Sequence, residues 1–140
     1  MPELLSLEEF KESLRLSPRL VVELVIEETN GKIALVKRTD APFEGYWHLP
    51  GGFLLKGESL SDCAVRIAKK EVGLDINGKE SKFLGLFENI DSDPRGHLLH
   101  YVTKVKVNDV PAIGGLRLVK TLPEDTIPHQ KKFLQELGYR

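Results

Sequence analysis

Residues 51–74, GGFLLKGESLSDCAVRIAKKEVGL, gather residue types that do chemistry. Gly51, Gly52 and Gly57 let backbone approach a ligand closely, and carbonyls exposed there suit a hard divalent cation. Ser59, with Asp62 three residues on, and Gly73 bound a helix over roughly 60–72. At about 100° per residue, Leu60, Cys63, Ala64, Val65, Ile67, Ala68 and Val72 share an apolar arc. Glu71 falls near the middle of that arc, whereas Asp62, Arg66, Lys69 and Lys70 lie at its edge or opposite it. A carboxylate on a buried face is costly unless it is paired, hydrogen-bonded or bound to metal. Near a helix C-terminus the dipole disfavours it further. Glu71 is therefore expected to have a partner: a metal ion, a nearby Lys or Arg, or water at the helix end.

The elements that must position this helix follow from pattern. Ser6 and Glu9 stand at capping-box spacing, and Leu7, Phe10 and Leu14 recur as on a short helix. RLVVELVIEE (19–28) and KIALVKR (32–38) read as strands joined by an Asn30-Gly31 turn. Residues 39–52 read as a loop from their Pro and Gly. KFLGLFENI (82–90), HLLHYVTKVKV (97–107) and LRLVK (116–120) read as further strands, the second alternating from Leu99 through Tyr101, Thr103 and Val105. TIPHQKKFLQELGY closes as a helix with Phe133, Leu134 and Leu137 inward. The order is α-β-β-loop-α-β-β-β-α, a mixed α/β single domain over 1–140 with residues 1–17 as an N-terminal helical extension.

The whole chain bounds the function. With 140 residues and a net charge of −1, it shows no basic footprint for nucleic acid. No apolar run approaches the length of a membrane span, and the acidic start lacks the pattern of a signal peptide. The single Cys63 excludes an internal disulfide and fits a reducing compartment. A cytoplasmic protein acting on a small molecule is the expectation.

Gly52, Glu58, Arg66, Glu71, Gly73 and Leu74 fall in register on the pattern G-x5-E-x7-R-E-U-x-E-E-x-G-U (U aliphatic), with Ala68 at the first U. Through these residues, and through the approach GYWHLPGG (45–52), the chain resembles the Nudix hydrolases. That resemblance implies a Nudix-type α/β/α sandwich with a mixed sheet. It implies Mg²⁺-dependent hydrolysis of a nucleoside diphosphate linked to another moiety. Ile67 and Lys70 stand where the family carries two further glutamates. Residues at i, i+3 and i+4 share a helix face, so the family's glutamates converge on a metal cluster. This helix keeps one, which leaves a single Mg²⁺ as the expectation. The same loss resembles the GDP-mannose mannosyl hydrolases, as do SPRLVVELVIE (17–27) and KRTDAPFEGYWHLPGG (37–52). That resemblance implies Mg²⁺ on the Gly51 carbonyl and Glu71, Arg38 on the departing diphosphate, Glu23 as an acidic active-site residue, and a homodimer through the N-terminal helix. The match stops at VNDVPAIGGLRLVK (107–120), which has neither the Gln nor the His base of that subfamily.

Other residues keep two readings. Arg38 ends a strand and is either solvated or on phosphate. Glu23, half-buried beside Val21 and Val25, serves the site or pairs with Arg38 or Arg66. Arg66 orients Glu71 or Glu58, and Glu58 either ligates metal or caps its loop. Trp47 and Tyr46 stack on a base or pack in the core. His97, His100 and His129 read as surface or packing histidines. A nucleotide-sugar hydrolase is the favoured function. A Nudix domain that binds a nucleotide or nucleotide sugar without chemistry is the alternative, and an interaction scaffold has no positive support.

Overall fold

A computed structural model describes residues 2–140; Met1, the first residue of the helical extension, lies outside them. The elements are α1 (Leu7–Leu16), β1 (Arg19–Glu28), β2 (Ile33–Lys37), β3 (Trp47–His48), β4 (Gly51–Phe53), α2 (Leu60–Ile67), β5 (Lys82–Asn89), β6 (Leu98–Val107), β7 (Leu116–Val119) and α3 (Pro128–Glu136). A π-helical turn, Ala68–Val72, continues α2, and a 3₁₀ turn, Gly78–Glu80, precedes β5.

All seven strands form one sheet, with β3-β2-β1-β6-β5 in sequence across it, β4 paired to β1 and β7 paired to β2. β1 runs parallel to β6 over its whole length, from Arg19 opposite Leu98 to Glu28 opposite Val107. The remaining pairs are antiparallel, so the sheet is mixed. Residues 21–26 of β1 are all buried, because helices cover both faces of a central strand. Val22, Leu24 and Ile26 pack with Cys63, Ala64, Ile67 and Val72. Val25, Leu35, Leu49 and Val102 pack with Phe133 and Leu134 of α3. The result is an α/β/α sandwich.

Local signals explain the ends. In α1 the Ser6 hydroxyl accepts from Glu9 N–H, and Glu9 Oε1 accepts from Ser6 N–H. Lys32 N–H donates to Asn30 Oδ1, and Gly31 takes φ 89° in the β1–β2 turn. Ser59 caps α2 through Asp62 N–H.

Three readings of the sequence are corrected. The 39–52 loop contains β3 and β4. The long helix splits at residue 67, because its last turn widens so that Gly73 N–H reaches back five residues to the Ala68 carbonyl as well as four to that of Lys69. The final helix begins only at Pro128, whose missing N–H suits the first turn. The short helix read from Leu7, Phe10 and Leu14 is present as α1; Phe10 docks it edge-to-face on Phe53 at 5.0 Å, whereas Leu7 is 68% exposed.

Gly73 closes the π-helical turn at φ 70°, ψ 23°, and a Cβ there meets nothing within 4 Å. Gly73→Ala is therefore a test of backbone conformation alone. It is expected to cost about 1–2 kcal/mol, seen as a lower urea midpoint with an unchanged slope.

Candidate active site

β1 carries Glu23 to the middle of the sheet, on the face toward α3, and the register of β4 places Gly51 opposite it. The two residues touch: Glu23 Oε2 fills the space a Cβ on residue 51 would need. Glu23 is 3% exposed, deeper than its half-buried expectation. It pairs with neither Arg38 nor Arg66. Its Oε1 accepts from His100 Nδ1–H at 3.1 Å and from Gln130 Nε2–H at 3.4 Å. Gln130 Oε1 accepts from Leu49 N–H at 2.8 Å, which fixes the orientation of that amide. Oε1 is thus saturated, and Oε2 is left on the Gly51 side. There a pocket of about 120 Å³ opens between Glu23, Arg38, His48, Gly51, Gly52, Phe53, Arg95 and Gln130.

Two guanidinium groups enter this pocket. Arg38 leaves the end of β2, and its Nε donates to the Pro42 carbonyl at 2.6 Å. Burial lowers its pKa and the neighbouring Arg95 lowers it further, against the acidic Asp93, Asp40 and Glu23. Two like charges held this close favour an anion between them. Arg95 is gripped by Asp93, with Nε to Oδ1 at 3.0 Å and Nη2 to Oδ2 at 2.7 Å, and lies 5.5 Å from the Phe53 ring centroid. Asp93 is 3% exposed. Burial works to raise its pKa, yet the hydrogen bonds from Arg95 prevail and hold it below the ordinary value. His48 donates Nδ1–H to its neighbour's carbonyl on Leu49 at 2.7 Å, which leaves Nε2 as a free lone pair. Burial lowers its pKa, aided by Arg38 and opposed by Glu23, the Leu49 carbonyl and Glu71. His48 is therefore neutral near pH 7.

Glu71 sits half-buried in the π-helical turn. It makes no ion pair or side-chain hydrogen bond among the described residues, and its field is felt at His48. The widened turn carries it out of the apolar arc that a regular wheel assigns it. Glu58 is held elsewhere. Arg66 grips it with Nε to Oε2 at 2.7 Å and Nη2 to Oε1 at 3.0 Å, and Leu55 N–H adds a bond to Oε1 at 3.2 Å. The Arg66 bonds keep the Glu58 pKa low. Arg66 Nη2 also donates to the Phe53 carbonyl at 3.0 Å, so this pair braces β4 against α2. Trp47 lies outside the pocket; it packs on the α3-side core with Lys37 and Arg117 each 5.8 Å from its ring centroid. Ile67 is 2% exposed within the α2-side core and abuts Gly52. Lys70 faces a separate groove beside α1. No three His, Cys, Asp or Glu side chains among the described residues converge as a metal site. Cys63 is buried, its thiol pushed up to about 12 by desolvation and by Glu58, and is no nucleophile.

His48, Arg95 and Gln130 have no site reading in the sequence, and His100 reads there only as surface or packing. Signals existed for two. His100 lies two residues from both Leu98 and Val102 on the buried face of β6, the opposite face from the Leu99–Tyr101 alternation. Gln130 shares the inward face of α3 with Phe133 and Leu134. His100 packs against His129 and Phe133, as one of its two readings has it, and in addition hydrogen-bonds Glu23 Oε1. Arg95 comes from a turn, and nothing local marks it.

The seven-stranded mixed sheet between helices is the Nudix fold. It superposes on a MutT Nudix hydrolase from Burkholderia pseudomallei with a TM-score of 0.73 at 23% identity, covering 85% of this chain and 97% of that one. The NUDIX domain model matches residues 17–133, and the chain belongs to the Nudix family. It is 42% identical over 92 residues to an ADP-ribose pyrophosphatase of Methanocaldococcus jannaschii, covering 66% of this chain and 53% of the relative. It is 37% identical over 98 residues to the low-salt glycan biosynthesis protein Agl8 of Haloferax volcanii, covering 66% of this chain and 61% of that protein. The chain thus spans only 53% and 61% of the length of these two curated relatives.

Two outcomes follow. Ile67→Glu puts an unpaired charge against the core instead of rebuilding a metal cluster, and is expected to cost about 3–5 kcal/mol by urea unfolding with or without added Mg²⁺. His129 is pushed down to about 4 by burial and by His100. The unfolded chain, titrating near 6.5, then binds the extra proton first. Stability present above pH 6.5 is expected to fall as pH drops toward 4, and His129→Gln flattens that part of the denaturation midpoint against pH.

Proposed function

We propose that the protein is a divalent-metal-dependent hydrolase of a nucleoside diphosphate linked to a second moiety, with a nucleotide sugar favoured. The observation that carries this reading is the convergence of Arg38 and Arg95 on the pocket floored by Gly51 and Gly52. Two fixed forks beside bare backbone suit the charge of a diphosphate, and more so the charge of a departing one. The ADP-ribose pyrophosphatase relative adds ADP-ribose to the GDP-mannose-like substrates that the box suggests.

Nudix hydrolases use divalent metals. Here Glu71, a half-buried carboxylate without a protein partner, and the Gly51 carbonyl would hold one Mg²⁺, an ion that often keeps its waters and takes few protein ligands. Bound there, it would stabilise charge on the diphosphate. Glu58 would serve by keeping Arg66 in place, and Trp47 by packing behind its neighbour His48. The residues that touch the pocket divide the remaining work. Arg38 and Arg95 bind and orient the diphosphate. His48 Nε2 and Glu23 Oε2 are the acceptors able to take a proton from an attacking water, and they stand in for the base missing from 108–115. A homodimer through α1 belongs to this reading, supported by the exposure of Leu4, Leu7 and Leu16.

A second reading, a domain that binds such a nucleotide without turning it over, is favoured by Ile67 in the core and Lys70 in the α1 groove. The two separate on one assay: product release from ADP-ribose, GDP-mannose, other nucleotide sugars and dinucleotides, with and without Mg²⁺. Mg²⁺-dependent turnover that Glu71→Gln abolishes and Arg38→Ala reduces about 10²-fold is expected. Turnover is expected to hold through neutrality and decline only below pH 6.5, where His48 takes up its proton, and His48→Asn removes that decline. Tight binding without turnover of any substrate would favour the second reading.

A further inference from the structure

A second cavity, of about 160 Å³, lies behind the Glu23–His100 pair, between the β5–β6 edge of the sheet and α3. It shares no lining residue with the pocket above. The register sets Phe87 opposite His100 and Asn89 opposite Leu98, so Phe87, Asn89 and His100 share one sheet face. Phe133 closes the space, stacked on Phe87 at 5.0 Å and 5.6 Å from the His100 ring. His129 covers the His100 ring at 5.1 Å.

Two residues that line this cavity each carry a buried polar atom with no partner among the described residues: Asn89 Nδ2 and His100 Nε2. These residues are only 7% and 2% exposed, and a buried polar atom left unpaired loses its hydration without compensation. Their chemistry follows from what their other ends do. Asn89 Oδ1 accepts from Ser92 N–H at 3.0 Å, so the amide cannot be reversed and Nδ2 is a donor. His100 gives Nδ1–H to Glu23 Oε1, which already accepts from Gln130, and in that tautomer Nε2 is an acceptor. The cavity therefore offers one donor and one acceptor. Its inner walls are Phe87, Phe133 and His129, a ring that burial keeps neutral. The charged Lys132, Glu88 and Glu136 stand at the exposed mouth. Such a site suits a neutral group that both accepts and donates.

We propose that this cavity is a hydroxyl-binding site, in which one O–H oxygen accepts from Asn89 Nδ2 and donates its proton to His100 Nε2. Water and the hydroxyl of a small sugar share that chemistry, and the space takes either, at about 30 Å³ per water. The occupant fixes the His100 ring from behind, and the ring in turn holds Glu23 against Gly51. His100 is a positioning residue for the pocket, itself positioned from a site outside it.

The test joins a high-resolution crystal structure grown without sugars to ¹⁵N NMR of the histidine and asparagine side chains. A density peak within hydrogen-bond distance of both atoms and a His100 ring protonated at Nδ1 are expected. Adding D-ribose or D-mannose separates the sources. Movement of the His100 and Asn89 signals identifies a sugar hydroxyl, and their constancy identifies resident water. Asn89→Leu is expected to remove the peak and shift the His100 Nε2 signal. No bridging density in the wild type, a ring protonated at Nε2 instead of Nδ1, or a folded Asn89→Leu with an unchanged His100 signal overturns the proposal. The wild-type measurements decide the matter even if the variant fails to fold.

Discussion

A carboxylate is packed at the centre of this molecule against a residue that has no room for a side chain. Glu23 Oε2 occupies the Cβ space of Gly51, and the arrangement of three other elements answers to that contact. β6 brings His100, α3 brings Gln130, and the Leu49 backbone completes the chain through Gln130. A carboxyl group this deep survives only when its lone pairs are used, and here one oxygen is saturated from behind. The other is left for the pocket. Depth and directionality come from the same contacts: whatever keeps Glu23 folded in also aims it.

Helix α2 and its π-helical turn divide their labour differently. Ile67 belongs to the core, Arg66 to the brace that ties Glu58 and the Phe53 carbonyl together, and Lys70 to the groove beside α1. Glu71 makes no ion pair or side-chain hydrogen bond among the described residues. The widening of the helix after residue 67 sets its position, which regular α geometry would have turned into the apolar layer. The charge of the site is thus shifted away from this helix. Arg38, Arg95, His48 and Glu23 come from the strands and loops across the pocket, and the cationic half of the arrangement outweighs the acidic half on the helix.

The order of elements, the capping of α1 and α2 and the Asn30-Gly31 turn were legible in the sequence, because each rests on neighbours a few residues apart. The register of the Nudix pattern fixed the helix and the loop before it. The short β3 and β4 were hidden, since two or three residues carry no period and exist only because β1 and β2 offer edges to pair with. The wheel misplaced Glu71 because it assumes one pitch throughout. His100 and Gln130 were hidden for a different reason. Each sits at the right spacing for burial, but a polar residue on a buried face declares a partner without naming it, and the partner is far along the chain. Arg95 depends on Asp93 two residues before it, a local pair that looks like any turn until Arg38 is brought alongside.

The parallel pairing of β1 with β6 also has a bearing on how the chain reaches this state. β1 is made before β6, and its six central residues are all buried. One edge of it is completed only when residues 98–107 arrive. Pairings so distant in sequence close slowly, and a hydrophobic strand with an open edge invites other chains in the meantime. During synthesis a long, buried strand therefore waits with one edge open until β6 follows, which makes the nascent chain, more than the finished fold, the state most in need of a chaperone.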